Sequence, residues 1–438
     1  MKTSLLAISA LAVMVSPIAV SHAAEELTFL RFFGGCSDQY ANVTDMDQAV
    51  GECGVIQVLT NKFNAENDQD ITINTQNVEW GVYYDLLSTQ IASGQQPAIA
   101  VMHRSVLPNF VARDLIEPLD DIFVEAGIDT SDFLPAALES VSYDGQIWGL
   151  PWDIHALLYH VNGAIMEEAG LTDAEGNYIL PTSTEELFEH ARIVQERTGK
   201  RYLSIGSRND AMTARVFNLL MWQQGSGIFN EDLSGVQIDS EEGRVALEFM
   251  KRLYDEGVAL PIHDGSEATQ AFINGEAAVF VSGTWQVDTM AAHSASESSP
   301  LANYQVFDFP QVVGDTRATW SDSHMWVLPA KERSPEEMAA TVAFLSFLND
   351  NSGQWARTGH LPVRQSVLES EAFAALPYRT SYAETTGIAQ AVPMVQNQRP
   401  IQDIIRDGLS AVWLGDTAVD AALSDVQSQV ERNFRRVR

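Results

Sequence analysis

From Leu27 to Met102 the chain alternates between two hydrophobic periods, and this alternation limits the folds open to it. Leu27 to Phe33 reads as a strand ended by Gly34-Gly35. Val55, Ile56, Leu59 and Phe63 recur at helical spacing from about Gly54 to Asn64, and Asp70 to Thr75 alternates as a strand. Leu86, Leu87 and Ile91, with Tyr83 or Tyr84, mark a second helix that Gly94 stops. Ala98 to Met102 is a continuous apolar run, as in a strand buried on both faces. The order β-α-β-α-β predicts a mostly parallel sheet flanked by helices. The middle third repeats this character. Ser183 and Glu186 form a capping box for a helix that ends at Gly199, Tyr202 to Gly206 is a strand, and Ala211 to Gln224 and Ser240 to Tyr254 are helices. A second α/β unit is expected there. Tyr304 to Phe309 reads as a strand returning to the first unit. Ser334, Pro335 and Glu337 start a helix with Met338, Val342, Leu345 and Leu348 on its apolar face, and a last helix runs from about Thr417.

A chain of 438 residues can build two cores. Residues 1–23 have the form of a secretory signal: Lys2, an apolar run from Leu5 to Val20, and Ser21-His22-Ala23 as a small-x-small cleavage site. No cysteine sits at that point to carry a lipid, and no second membrane span follows. Export to the periplasm is expected. The net charge of −33, from 26 Lys and Arg against 59 Asp and Glu, disfavours nucleic acid and anionic membranes as partners. In an exported protein the two cysteines, Cys36 and Cys53, read as a disulfide that staples the loop between the first strand and the first helix. Such a bridge stabilises by roughly 3 kcal/mol in the chain-entropy account. The alternative, a metal site, lacks further Cys or His at ligand spacing.

Catalytic signatures are thin. There is no G-x-S-x-G, no H-E-x-x-H and no phosphate loop. The nine histidines are scattered along the chain, so neither a metal nor another cofactor is expected. Five tryptophans, Trp80, Trp152, Trp222, Trp285 and Trp320, lie near predicted element ends beside polar residues. Indoles cover the apolar faces of sugars while polar side chains meet the hydroxyls, which makes these positions candidates for carbohydrate contact.

One stretch combines these features. In AFINGEAAVFVSGTW, Ala271 to Trp285, a helix end is broken by Gly275, a short apolar strand follows from Ala277 to Val281, and Gly283 and Trp285 close it. An indole at a strand terminus is well placed for a ligand. The pattern Phe272, Gly275, Ala277, Ala278, Gly283, Trp285 resembles the signature of extracellular solute-binding proteins of the carbohydrate-uptake family, the maltose/trehalose-binding group of ABC importers. Three further stretches resemble that family in the same order. They are NKFNAEN with IASGQQP in the first unit, YDGQIWGLPWDIHALLYHVN from Tyr143 to Asn162, and WARTGHLPVR from Trp355 to Arg364. Two departures stand out: Pro97-Ala98 where the family has Pro-Asp, and Ser323-His324 where it has a small pair.

The resemblance implies an α/β, two-lobed periplasmic-binding-protein fold, each lobe a mostly parallel sheet flanked by helices with the cleft between them. Residues 24–150 and 310–350 would form the N-terminal lobe, and 151–309 with 351–438 the C-terminal lobe. It further implies a monomer that catalyses nothing. The chain would bind a small glycoside or disaccharide of α-glucoside type and pass it to an inner-membrane ABC permease. Arg104, Arg208 and Arg364 leave room for an anionic glycoside. The residues expected to face the ligand are Asp38, Gln39, Trp80, His103, Arg104, Trp152, Asp153, His155, Gly283, Trp285, Trp320, Asp322, Ser323, His324 and Arg364. The guanidinium of Arg364 would bridge adjacent sugar oxygens. The alternative reading is a secreted hydrolase using Asp153 and Asp322 as opposed carboxylates.

Overall fold

The computed structural model describes residues 24–208 and 210–435; the expected secretory signal, residues 1–23, lies outside them. Nine strands form one continuous sheet: β1 (Glu25–Arg31), β2 (Ile71–Asn77), β3 (Ile99–His103), β4 (Leu150–Val161), β5 (Arg201–Ser204), β6 (Ala277–Gly283), β7 (Gln305–Asp308), β8 (Thr319–Val327) and β9 (Ala389–Ala391). The main path runs β2-β1-β3-β8-β4-β6-β5, with β9 beside β8 and β7 beside β4. β1 is parallel to β2 and β3, and β5 is parallel to β6, as the alternation predicts. β4 and β8 are antiparallel to each other and to their neighbours β6 and β3.

These two strands join two cores. The first gathers Phe29, Val55, Leu59, Val101 and Leu345, together with Leu150 from the start of β4 and Trp326 from the end of β8. The second gathers Val194, Phe217, Leu247, Val279 and Val426, together with Tyr159 from the end of β4 and Trp320 from the start of β8. Each long strand is therefore built into one core at one end and the other core at the other end, and the molecule has two lobes.

The helices follow their sequence signals. Among them are α1 (Gly51–Glu66), α2 (Tyr83–Ala92), α3 (Thr184–Thr198), α4 (Met212–Gln223), α5 (Glu241–Asp255), α6 (Gly265–Ile273), α7 (Pro335–Asp350), α8 (Gln398–Leu414) and α9 (Val419–Arg435). Ser183, Ser240 and Ser334 each accept a backbone N–H from the first turn of their helix. Cys36 and Cys53 are bridged, which ties the end of β1 to the first turn of α1. Among the described residues no helix is long and apolar enough to cross a membrane.

The return to the first lobe lies elsewhere than expected. β7 pairs with the far half of β4, Leu158 with Asp308, and Val312, Val313 and Ala318 remain in the second core. The crossing is made by β8, at about Ser321 to His324, rather than at Pro310. A short apolar strand carries no mark of which half of a sheet it will pair with, so the sequence pattern could not separate the two. Trp355 and Val363 pack in the first core while Leu361 between them packs with Leu158 and Phe280 of the second lobe, so the 351–438 segment begins in contact with both lobes.

Candidate functional site

The site begins with the register of three adjacent strands. His103, at the end of β3, is paired with His324 on β8, and His324 with Asp153 on β4. Two residues along, Asp322 is paired with His155. Side chains alternate across a strand, so Trp320, Asp322 and His324 share one face of β8, and Asp153 and His155 share the same side of β4. Ser323 points to the other face. The pairing thus gathers histidines and carboxylates from distant parts of the sequence at the point where both strands cross between the cores.

Asp153 is the centre of this floor. Its two oxygens meet His155 Nδ1 at 3.0 Å, His324 Nδ1 at 2.8 Å and the Trp355 indole N–H at 2.7 Å. Burial alone would raise its pKa, but His324, His360 and these hydrogen bonds hold it well below the usual carboxylate range. His103 and His324 meet through their Nε2 atoms at 3.2 Å. The Tyr84 hydroxyl accepts the His103 backbone N–H at 2.9 Å and pairs with His103 Nδ1 at 2.6 Å, where the ring tautomer sets which of the two donates. Burial lowers the pKa of His103 well below the ordinary value and pushes that of His155 down to about 3, so both rings are neutral. His360 sits beside this group, with Nδ1 against Thr284 Oγ1 at 2.9 Å and Nε2 against Glu52 at 2.9 Å.

His360 provides a pH test of the floor. Burial would lower its pKa, but Asp153 and Glu52 outweigh that and raise it above 6.5. The stability contributed by this raised pKa is fully present below about pH 6.5 and is lost as pH rises through the folded-state value. Urea unfolding between pH 5.5 and 8.5 is expected to show that loss, and Glu52→Gln to flatten it. An unchanged slope in the variant would remove the pair as its source.

Above the floor lies a cavity of about 510 Å³. The first lobe contributes Phe32, Glu52, Trp80 and His103. The second contributes Asp210 and Arg215 of α4 and its entry, Asp264 and Ser266 at the start of α6, and Trp285 after β6. Arg215 is set among three indoles, 5.5 Å from the Trp80 ring centre, 5.3 Å from Trp285 and 4.4 Å from Trp320. Among the described residues its Nε has no hydrogen-bond partner. Burial pushes its pKa down to about 10 against the pull of Asp210 and Asp322. A side cavity of about 20 Å³, room for roughly one water, continues past Trp320 and Asp322 to Arg399 of α8, which lies 4.0 Å over Trp80.

Gly283 explains the position of Trp285. A Cβ added there would come within 2.1 Å of the indole ring, so only glycine lets the ring fold back over the strand end. His155 lies edge-on to this indole, 5.8 Å between ring centres.

Of the residues expected to face a ligand, Trp80, His103, His155, Trp285 and His324 line the main cavity, and Trp320 and Asp322 line its extension. Others do not line either. Trp152 is in the first core against Trp326 and Trp355, because it points to the opposite face from Asp153. Trp222 is in the second core. Ser323 is buried on the back of β8. Asp153 acts beneath the surface, through the rings it holds. Asp38 and Gln39 are exposed on the short helix Ser37–Tyr40, next to the disulfide. Arg104 donates to the carbonyl of Val392 at 2.6 Å. Arg364 is clamped in the first lobe by Asp132 at 2.6 Å through Nε and by the carbonyl of Asn349 at 2.8 Å through Nη1, away from the cavity.

The hydrolase alternative fails on the same geometry. Asp153 and Asp322 lie on neighbouring strands of one floor rather than on opposite sides of a bond to be cut. Asp153 is held by three side-chain donors and the His324 backbone N–H, and Asp322 by Ser105 and the Ser323 N–H. Sequence reasoning missed Arg215, Arg399, Glu52 and His360. Arg215 left one signal, a lone cation in the apolar helix MTARVFNLLMWQ, where burial demands a purpose.

The family profile of bacterial extracellular solute-binding proteins matches residues 59–380. The sn-glycerol-3-phosphate-binding periplasmic protein of Escherichia coli is 22% identical over 417 residues, covering 88% of this chain and 91% of that protein. A binding protein of Brucella abortus is 22% identical over 374 residues, covering 84% and 87%. Among solved structures, the GacH receptor of Streptomyces glaucescens, studied unliganded and with acarbose, superposes with a TM-score of 0.78 at 20% identity, covering 95% of this chain and all of that one. Maltose-bound MalE3 of T. maritima gives 0.78 at 21% identity, covering 94% and 100%. Two lobes joined by crossing strands, a cavity between them and a profile match over most of the sequence lead to one assignment: the chain belongs to the bacterial extracellular solute-binding protein family, which groups binding proteins rather than enzymes.

Proposed function

We propose that this chain is the periplasmic solute-binding component of an ABC importer, exported after cleavage near Ala23, and that its solute is a small glycoside or disaccharide. The observation that carries this reading is the cavity wall. The indoles of Trp80 and Trp285 approach from different lobes, while His155, Asp210, Asp264 and Arg215 supply donors and acceptors between them. Apolar faces with a few placed polar groups suit a polyhydroxylated solute. A solute touching both lobes stabilises the closed arrangement, which the permease then recognises. The hinge would lie where β4 and β8 cross, with residues 24–152 and 325–363 moving against the remainder.

A second reading of the solute rests on Arg215. A guanidinium with a buried, unpartnered Nε next to the space where the solute would sit favours an anionic group, such as a phosphate or sulfonate ester of a polyol. The glycerol-phosphate relative belongs to that class by its name.

A thermal-shift screen of the mature protein against neutral mono- and disaccharides and against phosphorylated and sulfonated polyols tests both readings. A ligand at a hundredfold excess over its Kd adds about 2.7 kcal/mol of stability. Trp285→Ala is expected to weaken the responding solute by about 10- to 100-fold while the unliganded protein melts within a few degrees of the parent. A large stability loss with unchanged affinity would make Trp285 a core residue. No response from either class would remove polyhydroxylated solutes from the proposal.

A further inference from the structure

The floor of the cleft holds more histidine than solute contact requires. His103, His155 and His324 each offer a ring nitrogen within 4.8 Å of the other two, and all three line the cavity. Their remaining nitrogens are anchored. His155 Nδ1 and His324 Nδ1 are held by the two oxygens of Asp153, and His103 Nδ1 by the Tyr84 hydroxyl. The rings of His155 and His324 stack at 4.2 Å, with Nδ1 of each on the one Asp153 carboxylate. We propose that His103, His155 and His324 form a binding site, through Nε2, for one borderline divalent transition-metal cation of the zinc class, open on the cavity side.

Four features carry this assignment. A carboxylate or hydroxyl on the outer nitrogen of each ring is the arrangement that orients imidazoles and raises their basicity toward a metal. The 3.2 Å between the Nε2 atoms of His103 and His324 is close to the separation of about 3.3 Å that two nitrogens have on a tetrahedral zinc ion. Imidazole selects zinc, nickel or copper over magnesium or calcium, which prefer oxygen. Finally, the proton count closes. His155 and His324 already carry their proton on Nδ1, toward Asp153. His103 presents a free Nε2 when its proton is on Nδ1, and the Tyr84 oxygen has the lone pairs to accept both that N–H and the backbone N–H.

The two other clusters of suitable residues at this floor carry less. Both include His360, whose two nitrogens are engaged by Thr284 and Glu52. Three imidazole nitrogens leave a fourth position facing the cavity, where a water or a solute oxygen completes the site, as in open zinc sites.

The test uses the full mature chain without a histidine tag, stripped with chelator and free of any solute. Equilibrium dialysis against Zn²⁺ followed by metal analysis is expected to find one zinc per chain. His103→Ala and His155→Ala should each weaken retention by at least about 30-fold. His190→Gln, on α3 in the second lobe, should stay within about twofold of the parent and controls for general histidine loss. Co²⁺ in place of zinc should show the intense visible d–d bands of a four-coordinate ion, a readout of geometry that a folding defect in a variant does not mimic. Failure to retain stoichiometric zinc, or retention unchanged in the His103→Ala, His155→Ala double variant, would overturn the proposal. Because no solute is present, a negative solute screen leaves this result standing, and a failed metal titration leaves the solute reading standing.

Discussion

Asp153→Ala is expected to lower the unfolding free energy of the unliganded protein by roughly 3–5 kcal/mol, the scale for removing one partner of a buried charged network. The carboxylate is fully buried and receives His155, His324 and the Trp355 indole. Without it these three side-chain donors and the His324 backbone N–H lose their acceptor, and each unpaired group costs about 1–3 kcal/mol. Asp153→Asn keeps the volume and one acceptor but offers an N–H where a ring N–H already points, so an intermediate loss is expected. Urea unfolding at pH 7 measures both. A loss below 1 kcal/mol for the alanine variant would mean that the floor reorganises around the gap, and would end the view of Asp153 as its organising group.

Arg215→Ala is expected to act on binding instead. If the guanidinium meets the solute, truncation should weaken affinity by about 100-fold, or roughly 2–3 kcal/mol, with an anionic solute losing more than a neutral one. Lysine keeps the charge but not the planar fork that lies among three indoles, so Arg215→Lys should recover only part of the affinity. The unliganded protein should lose at most about 2–3 kcal/mol, because three cation–π contacts of about 0.5–1 kcal/mol each are set against the cost of burying the charge. Isothermal titration with the solute found in the screen reads the effect directly. Affinity within threefold of the parent would place Arg215 outside the binding surface and return the three tryptophans to a purely packing role.

Local signals read well in this chain because they depend on neighbours in sequence. The serine caps at 183, 240 and 334, the left-handed turn at Gly199 and the apolar run at 98–102 are each decided within one or two turns of backbone. The same holds for the stretch around Gly283 and Trp285, where a strand, a glycine and an indole are three consecutive decisions. Arg364 shows the limit. Its motif marks where it sits in the chain, but Asp132, 232 residues away, determines what its guanidinium touches. Trp152 and Asp153 differ by one position and therefore by one face of β4, which sends the first into a core and the second beneath the cleft.

What the sequence by itself determined was the alternation of strands and helices, the export signal's form, the cysteine pair and the family resemblance, because periodicity, capping and motif spacing are local properties of the chain. Only the tertiary structure decided that histidines 103, 155, 324 and 360 meet, that Arg215 enters an aromatic cage, and that the return crossing falls on β8. Those outcomes follow from strand register and from the packing of two cores against shared strands, and a scattered set of histidines carries no mark of either until the strands are paired.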